Sequence, residues 1–308
     1  GQVWEGFEPI TVDVEGKELT LTNLEKVLYP AAGFTKAQVI AYYQAISPAL
    51  LAHLRGRALT LKRYPNGVDA AMFFQKNVPE VRPPWIKVVD VPIGRGTTAL
   101  RSIVVDDLPS LIWVANLAAL ELHPLLSDVE DLTTPTVLAF DLDPGPDTNV
   151  ATCARVALHI RDLLEPLGLS LWPKTSGSKG MQVYCPLRAP VSFAQTKTFS
   201  RAVAQLLERR LPELVTSTMT KSARTGKVFV DWSQNDAAKT TVAAYSLRAM
   251  ARPTVSTPLS WAEVERCADS GEVIAFTAGE VVDRVEQFGD LFAPVVGDGA
   301  ALPDLGLT

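Results

Sequence analysis

Apolar and polar residues alternate at two places near the start of the chain, EPITVDVE at 8–15 and ELTLT at 18–22, with Gly16 between them. That period of two around a turn residue predicts a hairpin. The period then lengthens. In FTKAQVIAYYQAISPALLAHL at 34–54 apolar residues recur at 39, 43, 46, 50 and 54, with Thr35 placed as an N-cap and Gln38 three residues on. This spacing predicts an amphipathic helix opened by a capping box. RALTLKRY (57–64) and AMFFQK (71–76) predict strands around the turn PNGVD, and 108–122 predicts a helix ending in ELHP. TVLAFDLD (136–143) predicts a buried strand, followed by a helix at about 149–167 with Cys153, Val156, Ile160, Leu163 and Leu167 on one face. LWPKTSGSKGMQVYCPL predicts two strands joined by a Gly/Ser/Lys turn, with a helix at about 192–210, a strand in KVFVDWSQ (227–234) and mostly helix from about 260. Strands and helices mixed with hairpins predict an α+β fold with a central mixed β-sheet and flanking helices, rather than a doubly wound parallel one.

Composition narrows the class. With 308 residues, 47% of them hydrophobic and 20% charged, the chain has material for one large domain or two closely packed subdomains. No run of eighteen apolar residues occurs, and GQVWEGFEP lacks the basic-then-apolar order of a signal peptide, so the expectation is a cytoplasmic protein with no membrane partner. Cys153, Cys185 and Cys267 have no CxxC spacing, and His53, His123 and His159 lie far apart. Neither a disulfide framework nor a structural zinc site is indicated, so a bound metal would take oxygen ligands. The net charge of −5 hides a segregation: residues 21–90 hold nine Lys/Arg against four Asp/Glu, residues 171–255 thirteen against four, and residues 260–308 two against ten. Two basic regions suit a polyanionic ligand despite the acidic total, although solvated surface has the same composition.

The strand 136–143 ends in FDLDPGPD, where Asp141 and Asp143 share a face and Leu142 points into the core. Taken alone, DxD is a strand-end turn. KVFVDWSQ places a third aspartate, Asp231, after another apolar run. Three carboxylates gathered on one sheet would make a hard-oxygen site for Mg²⁺ or Mn²⁺, and two such ions can clamp an in-line phosphoryl displacement. The turn TSGSKG (175–180) offers backbone N–H groups, Ser176, Ser178 and Lys179 to a phosphate, and is equally an ordinary hairpin turn. It is not a Walker A loop. His123 reads as a helix-end residue or a phosphate donor, and His53 and His159 carry no assigned role. Phe73 and Phe74 face opposite sides of a strand, one expected in the core and the other free to stack on a base. KSARTGK (221–227) reads as a solvated loop that puts Arg224 near Asp231. Lys36, in the first turn of its helix, opposes the helix dipole and is better explained by an anion than by helix stability.

In combination the motifs are more specific. FDLDPGP, TSGSKG with YCPL, and KVFVDWSQN followed by KTTVAAYSLRA, together with LTNLEKVLYP, LKRYPNGVD, FFQK and ALELH, make the chain resemble the polymerase domain of bacterial ligase D. It is equally similar to the stand-alone mycobacterial primase-polymerase C proteins of the archaeo-eukaryotic primase superfamily, and the likeness runs from about residue 20 to 290. The resemblance implies one primase-polymerase domain over 1–308: a DNA-binding subregion at about 1–125, a catalytic subregion at about 126–260 and acidic helices at about 261–308. It implies a template-dependent nucleotidyltransferase, using Mn²⁺ or Mg²⁺ in a two-metal site, that fills short gaps and extends DNA ends in end joining or excision repair and favours ribonucleotides. Asp141, Asp143 and Asp231 would hold the metals. His123, Ser176, Lys179 and Arg248 would hold the nucleoside triphosphate. Lys26 and Lys36 would hold a 5′-phosphate across a gap, Phe73 and Phe74 would pack on the template, and Lys62, Arg63 and Arg224 would line the DNA path. Ku and a DNA ligase are the implied protein partners of a monomer in the nucleoid. Two departures stand out: Gln182 where many members carry histidine, and a short connection between His123 and Asp141. No KxDG ligase motif occurs, so the expectation is a lone polymerase or an excised domain. The rival readings are a non-catalytic module for 5′-phosphorylated gaps and a Mn²⁺-dependent DxD glycosyltransferase.

Overall fold

The structure, a computed structural model, describes residues 9–305. The predicted hairpin forms from Ile10–Val14 and Lys17–Leu21; Glu8, the first residue of the predicted strand, lies outside the described residues. The first long helix, Lys36–Leu54, opens on its capping box: Thr35 Oγ1 accepts from the Gln38 N–H at 3.3 Å and Gln38 Oε1 accepts from the Thr35 N–H at 2.8 Å. Its apolar stripe of Val39, Tyr43, Ile46, Leu50 and Leu54 is buried in the first of two hydrophobic cores. Among the described residues no helix is long and apolar enough to cross a membrane.

That core covers a five-stranded antiparallel sheet. Phe73–Gln75 pairs with Ala58–Arg63, which pairs on with Ala99–Val104 and that with Lys87–Pro92, while Ala119–Pro124 also lies beside Ala58–Arg63. Three expectations need correction here. The helix predicted over 108–122 stops at Asn116, Ala118 turns the chain with a φ of 58°, and ALELHP continues as a strand. That strand is covered on both faces, and a short buried apolar run has no period by which strand and helix can be told apart. His123 is therefore a strand residue. Neither Phe73 nor Phe74 is core: they are 43% and 58% exposed, because Phe73–Gln75 is a three-residue edge strand. Each carries a cation over its ring, Arg63 at 4.7 Å from Phe73 and Lys62 at 5.3 Å from Phe74. Leu167 is also exposed, because the helix Val150–Leu164 ends before it and a 3₁₀ turn carries the chain outward.

The second core lies under a mixed sheet ordered Trp172–Thr175, Met181–Pro186, Val137–Pro144, Val228–Asp231, Val215–Thr216. Its first four strands are antiparallel and the last pair is parallel. Helices Val150–Leu164 and Phe193–Arg210, opened by side-chain caps at Asn149 and Ser192, contribute Val156, Ile160, Phe199 and Val203 to the core beneath it. The predicted strand 227–234 ends at Asp231, where Ser233 and Gln234 turn back on the carboxylate. The acidic C-terminal stretch holds helices Trp261–Ser270 and Ala278–Phe288 and a short 3₁₀ turn at Ala293–Val296.

Leu138, Phe140 and Leu142, each fully buried, drive the Val137–Pro144 strand into the second core and thereby fix its alternation, leaving Asp141 and Asp143 on the opposite face. Register then sets their neighbours: Lys174 lies opposite Gln182, Gln182 opposite Asp141, and Asp141 opposite Asp231. Gly180 lets the turn before Met181 reach this strand, since a Cβ there would lie 2.1 Å from the Leu142 carbonyl oxygen. Leu142→Ala is expected to lower stability by about 3 kcal/mol through the cavity it leaves. Denaturant unfolding reads this directly, and a loss below about 1 kcal/mol would show that Leu142 does not anchor the strand.

Candidate active site

Asp141, Asp143 and Asp231 each bring a carboxylate oxygen to within 4.8 Å of the other two. Two come from one strand and the third from its antiparallel partner, so the cluster follows from a single ladder. Asp231 is 8% exposed and held by the turn that follows: Ser233 donates to its Oδ1 from the backbone N–H at 2.9 Å and from the hydroxyl at 2.6 Å, and Gln234 Nε2 donates to its Oδ2 at 3.1 Å. Asn235 fixes that turn by donating to the Ala139 carbonyl at 2.8 Å and accepting from the Ala139 N–H at 2.9 Å.

Burial, then the charges of Asp143 and Asp231, push the Asp141 carboxyl up to about 7, and a hydrogen bond from Gln182 and the Lys174 ammonium pull the other way. Burial and Asp231 also raise Asp143, against Arg224 and Arg248. A site of oxygen donors alone, converging and short of positive charge, fits a hard divalent cation such as Mg²⁺ or Mn²⁺.

A cavity of about 470 Å³ opens over the first two aspartates and is lined by His123, Ser176, Lys179, Gln182, Arg224 and Arg248 among others. Ser176 Oγ accepts from the N–H groups of Ser178 at 3.1 Å and Gly180 at 3.0 Å, which shapes the turn and leaves the hydroxyl proton unused by either bond. Lys179 is exposed at the rim. Arg248 donates to the Ser176 carbonyl at 2.6 Å and Arg224 lies over the Phe229 ring at 4.4 Å.

Sequence reasoning missed the residue that organises this cationic wall. Glu121, 3% exposed on the strand corrected above, hydrogen-bonds His123 Nε2 at 2.9 Å and accepts from the Ala249 N–H at 2.8 Å. It also sits 3.3 Å from Arg248 Nε and 3.5 Å from Lys62 Nζ. Burial alone would raise its carboxyl, but the His123 hydrogen bond and the Arg248 charge more than offset this, so Glu121 stays ionised. Burial lowers the His123 pKa despite Glu121, which keeps the ring neutral near pH 7. Glu121 was marked in sequence only as a lone acid in the apolar run ALELHP.

Of the remaining predicted residues, in the N-terminal half, Lys62 meets this wall through Glu121 and none lines the cavity. Lys26 is half-exposed and donates to Asn66 Oδ1 at 2.8 Å. Lys36, expected to meet an anion, is 4% exposed and donates to Thr22 O at 2.6 Å and Thr22 Oγ1 at 3.2 Å. Burial first, then repulsion from Lys26 and Arg63, lowers its pKa to about 8. Lys26, Lys36 and Arg63 therefore form one basic cluster. Lys62 and Arg63 sit on the strand paired with Phe73 and Phe74, where Arg63 also donates to Leu117 O at 2.8 Å and Gln75 Oε1 at 2.9 Å. His53 is paired with Asp290 at 2.8 Å, away from the cavity lining, and His159 is exposed on its helix.

Fold and cavity thus define an α+β protein with an acidic triad on a mixed sheet, facing a cationic wall. The family described as "LigD, primase-polymerase domain" matches residues 35–292, and the chain belongs to it. It is 44% identical over 290 residues to a multifunctional non-homologous end joining DNA repair protein LigD of Mycobacterium tuberculosis, covering 92% of this chain and 37% of that protein. It is 32% identical to the bifunctional LigD of Bacillus subtilis, covering 88% and 43% respectively. The chain therefore spans well under half the length of these relatives. The solved polymerase domain from Mycobacterium tuberculosis ligase D in complex with DNA superposes with a TM-score of 0.84 at 42% identity, covering 91% of this chain and 99% of that one.

Repulsion among the aspartates has a measurable sign. The unfolded chain releases the Asp141 proton near 3.8 and the folded protein holds it to about 7, so the metal-free protein loses stability as pH rises through that window. Asp141→Asn is expected to match the parent near pH 4 and to exceed its stability at pH 8 by on the order of 2 kcal/mol, after discounting for solvent at the site. Urea unfolding with a chelator present decides it, and a variant less stable than the parent at pH 8 would contradict the account.

Proposed function

We propose that the protein is a template-dependent nucleotidyltransferase that fills short gaps and extends DNA ends in bacterial repair, by end joining or excision repair, with a preference for ribonucleotides. The observation that carries the reading is the convergence of Asp141, Asp143 and Asp231 beneath a cavity walled by Lys179, Arg224 and Arg248. Triphosphate and metal demand opposite charges at adjacent places, and this cavity offers both. A bound pair of Mg²⁺ or Mn²⁺ ions supplies the charge that lowers the pKa of a primer 3′-hydroxyl and neutralises the departing pyrophosphate. The three aspartates hold those ions on rigid strands. Ser176, Lys179, His123 and Arg248 bind and orient the phosphates, Ser176 by its hydroxyl proton and the turn by its backbone N–H groups. Glu121 keeps His123 and Arg248 in place.

On this reading the subregion at about 1–125 is the DNA-binding part, about 126–260 the catalytic part and about 261–308 an acidic buttress. Lys26, Lys36 and Arg63 form a pocket for a downstream 5′-phosphate, and the exposed Phe73 and Phe74, with Lys62, present a stacking surface to the template. The protein works in the cytoplasm as a monomer, with Ku and a DNA ligase as partners. The similarity to a polymerase domain whose structure contains DNA supports the reading. Asp231 opposite the DxD pair favours it over the glycosyltransferase alternative, and the triad favours it over a non-catalytic gap-binding module.

Primer extension across a short gap tests the reading. Asp231→Ala is expected to lower Mn²⁺-dependent addition about 100-fold or more while leaving gap binding within about twofold; near-parental addition would remove Asp231 from the site. Lys26→Ala should abolish the stimulation given by a downstream 5′-phosphate without slowing extension on an unphosphorylated gap. Equal use of both gaps by the parent protein would rule out the phosphate pocket.

A further inference from the structure

The second sheet aligns Lys174, Gln182, Asp141 and Asp231 in one cross-strand row. Side chains in such a row stand on one face at roughly 5 Å spacing, so an amine, a primary amide and two carboxylates are neighbours in that order. Lys174 is 0% exposed and Gln182 is 4% exposed. A lysine is almost never fully buried unless it is paired, and pairing of strands does not require one here.

Lys174 Nζ meets three acceptors: Gln182 Oε1, the Val242 carbonyl at 3.1 Å and Ser256 Oγ at 2.6 Å. The Ser256 hydroxyl spends its own proton on the Thr175 carbonyl at 2.8 Å, and a carbonyl can only accept, so Lys174 is the donor in all three bonds. The Asp141 carboxylate on the far side, which accepts, sets which way the Gln182 amide faces. With Oε1 toward Lys174, Nε2 points to Asp141 Oδ1 at 3.3 Å and to Thr241 Oγ1 at 3.3 Å. A flipped amide would set its oxygen against the Asp141 carboxylate, replacing an attraction by a repulsion. Among the described residues no hydrogen bond is made to Asp141 Oδ2, so the clamp leaves that oxygen free to face the cavity.

We infer that Lys174 is a positioning residue of the acidic site: it locks the Gln182 amide, which in turn clamps one oxygen of Asp141 and presents the other to a divalent cation. The inference rests on the reading above in which Asp141 holds metal, and it adds a residue two strands away that lies outside the cavity lining. Hydrogen-bonded partners one step behind a ligand orient it and raise its affinity for metal, with losses of about 10–100-fold when removed.

The test is Mn²⁺ binding followed by electron paramagnetic resonance without nucleotide or DNA, on the parent, Lys174→Met, Gln182→Leu and the double variant, with melting temperatures alongside. Each single variant should bind Mn²⁺ about tenfold more weakly, and the double variant no more weakly than either. Gap extension by each should fall at limiting Mn²⁺ and recover at saturating Mn²⁺, which a collapse of packing would not produce. Parental Mn²⁺ affinity in the single variants, or a double variant that loses the product of the two, overturns the relay. If Lys174→Met does not stay folded, Lys174→Gln takes its place: weakened Mn²⁺ binding that Gln182→Leu does not deepen upholds the relay, and parental binding overturns it. A parent protein that binds Mn²⁺ but adds no nucleotide would defeat the polymerase reading, and the same titration would still judge the relay.

Discussion

Mutual repulsion of three carboxylates at one place on one sheet is the constraint to which the rest of the molecule answers. Two unit charges at the 4.8 Å bound of this cluster repel by about 3–4 kcal/mol at an effective dielectric constant of about 20. Without an ion the protein meets this partly by holding a proton on Asp141 and partly by donors: Gln182 on Asp141, Ser233 and Gln234 on Asp231. Neither response would keep the groups together if the strands could move. They are kept by Leu138, Phe140 and Leu142, fully buried on the opposite face. The second core therefore stabilises an arrangement that its own charges oppose, and a divalent cation is the partner that would relieve it.

The cationic wall is fixed from the other half of the molecule. Tyr42 and Tyr43, on the first long helix, donate to the carbonyls of Tyr245 and Leu120, and Tyr43 Oη accepts from the Leu247 N–H at 3.0 Å. The loop carrying Arg248 is thus tied to the first core, and Glu121 ties Arg248, His123 and Lys62 to the first sheet. A change in packing around Tyr43 would reach the nucleotide cavity through Arg248 without any contact of its own there.

Much of this was legible in the chain because it rests on local rules. The capping box at Thr35, the alternation that puts Asp141 and Asp143 on one face, and the Gly/Ser turn at 175–180 each need only a few neighbouring residues. The strand at Ala119–Pro124 was not legible, because a run covered on both faces has lost the alternation that marks a strand. Phe73 and Phe74 were misjudged because nothing in FFQK says that its strand is an edge. Lys36 has the cationic neighbours expected of an anion site, yet it is buried and donates twice to Thr22. Glu121 and Lys174 carried a faint signal, one formally charged residue in a short buried strand, and their meaning depends on which side chains the sheet register sets beside them.

The most direct measurement is anomalous diffraction from crystals of the protein grown with Mn²⁺ and a non-hydrolysable nucleoside triphosphate. The account predicts manganese peaks between Asp141, Asp143 and Asp231, with carboxylate oxygens at about 2.1–2.2 Å and the triphosphate against Lys179 and Arg248. Manganese bound elsewhere, with these three carboxylates left uncoordinated and the triphosphate outside the cavity, would contradict it.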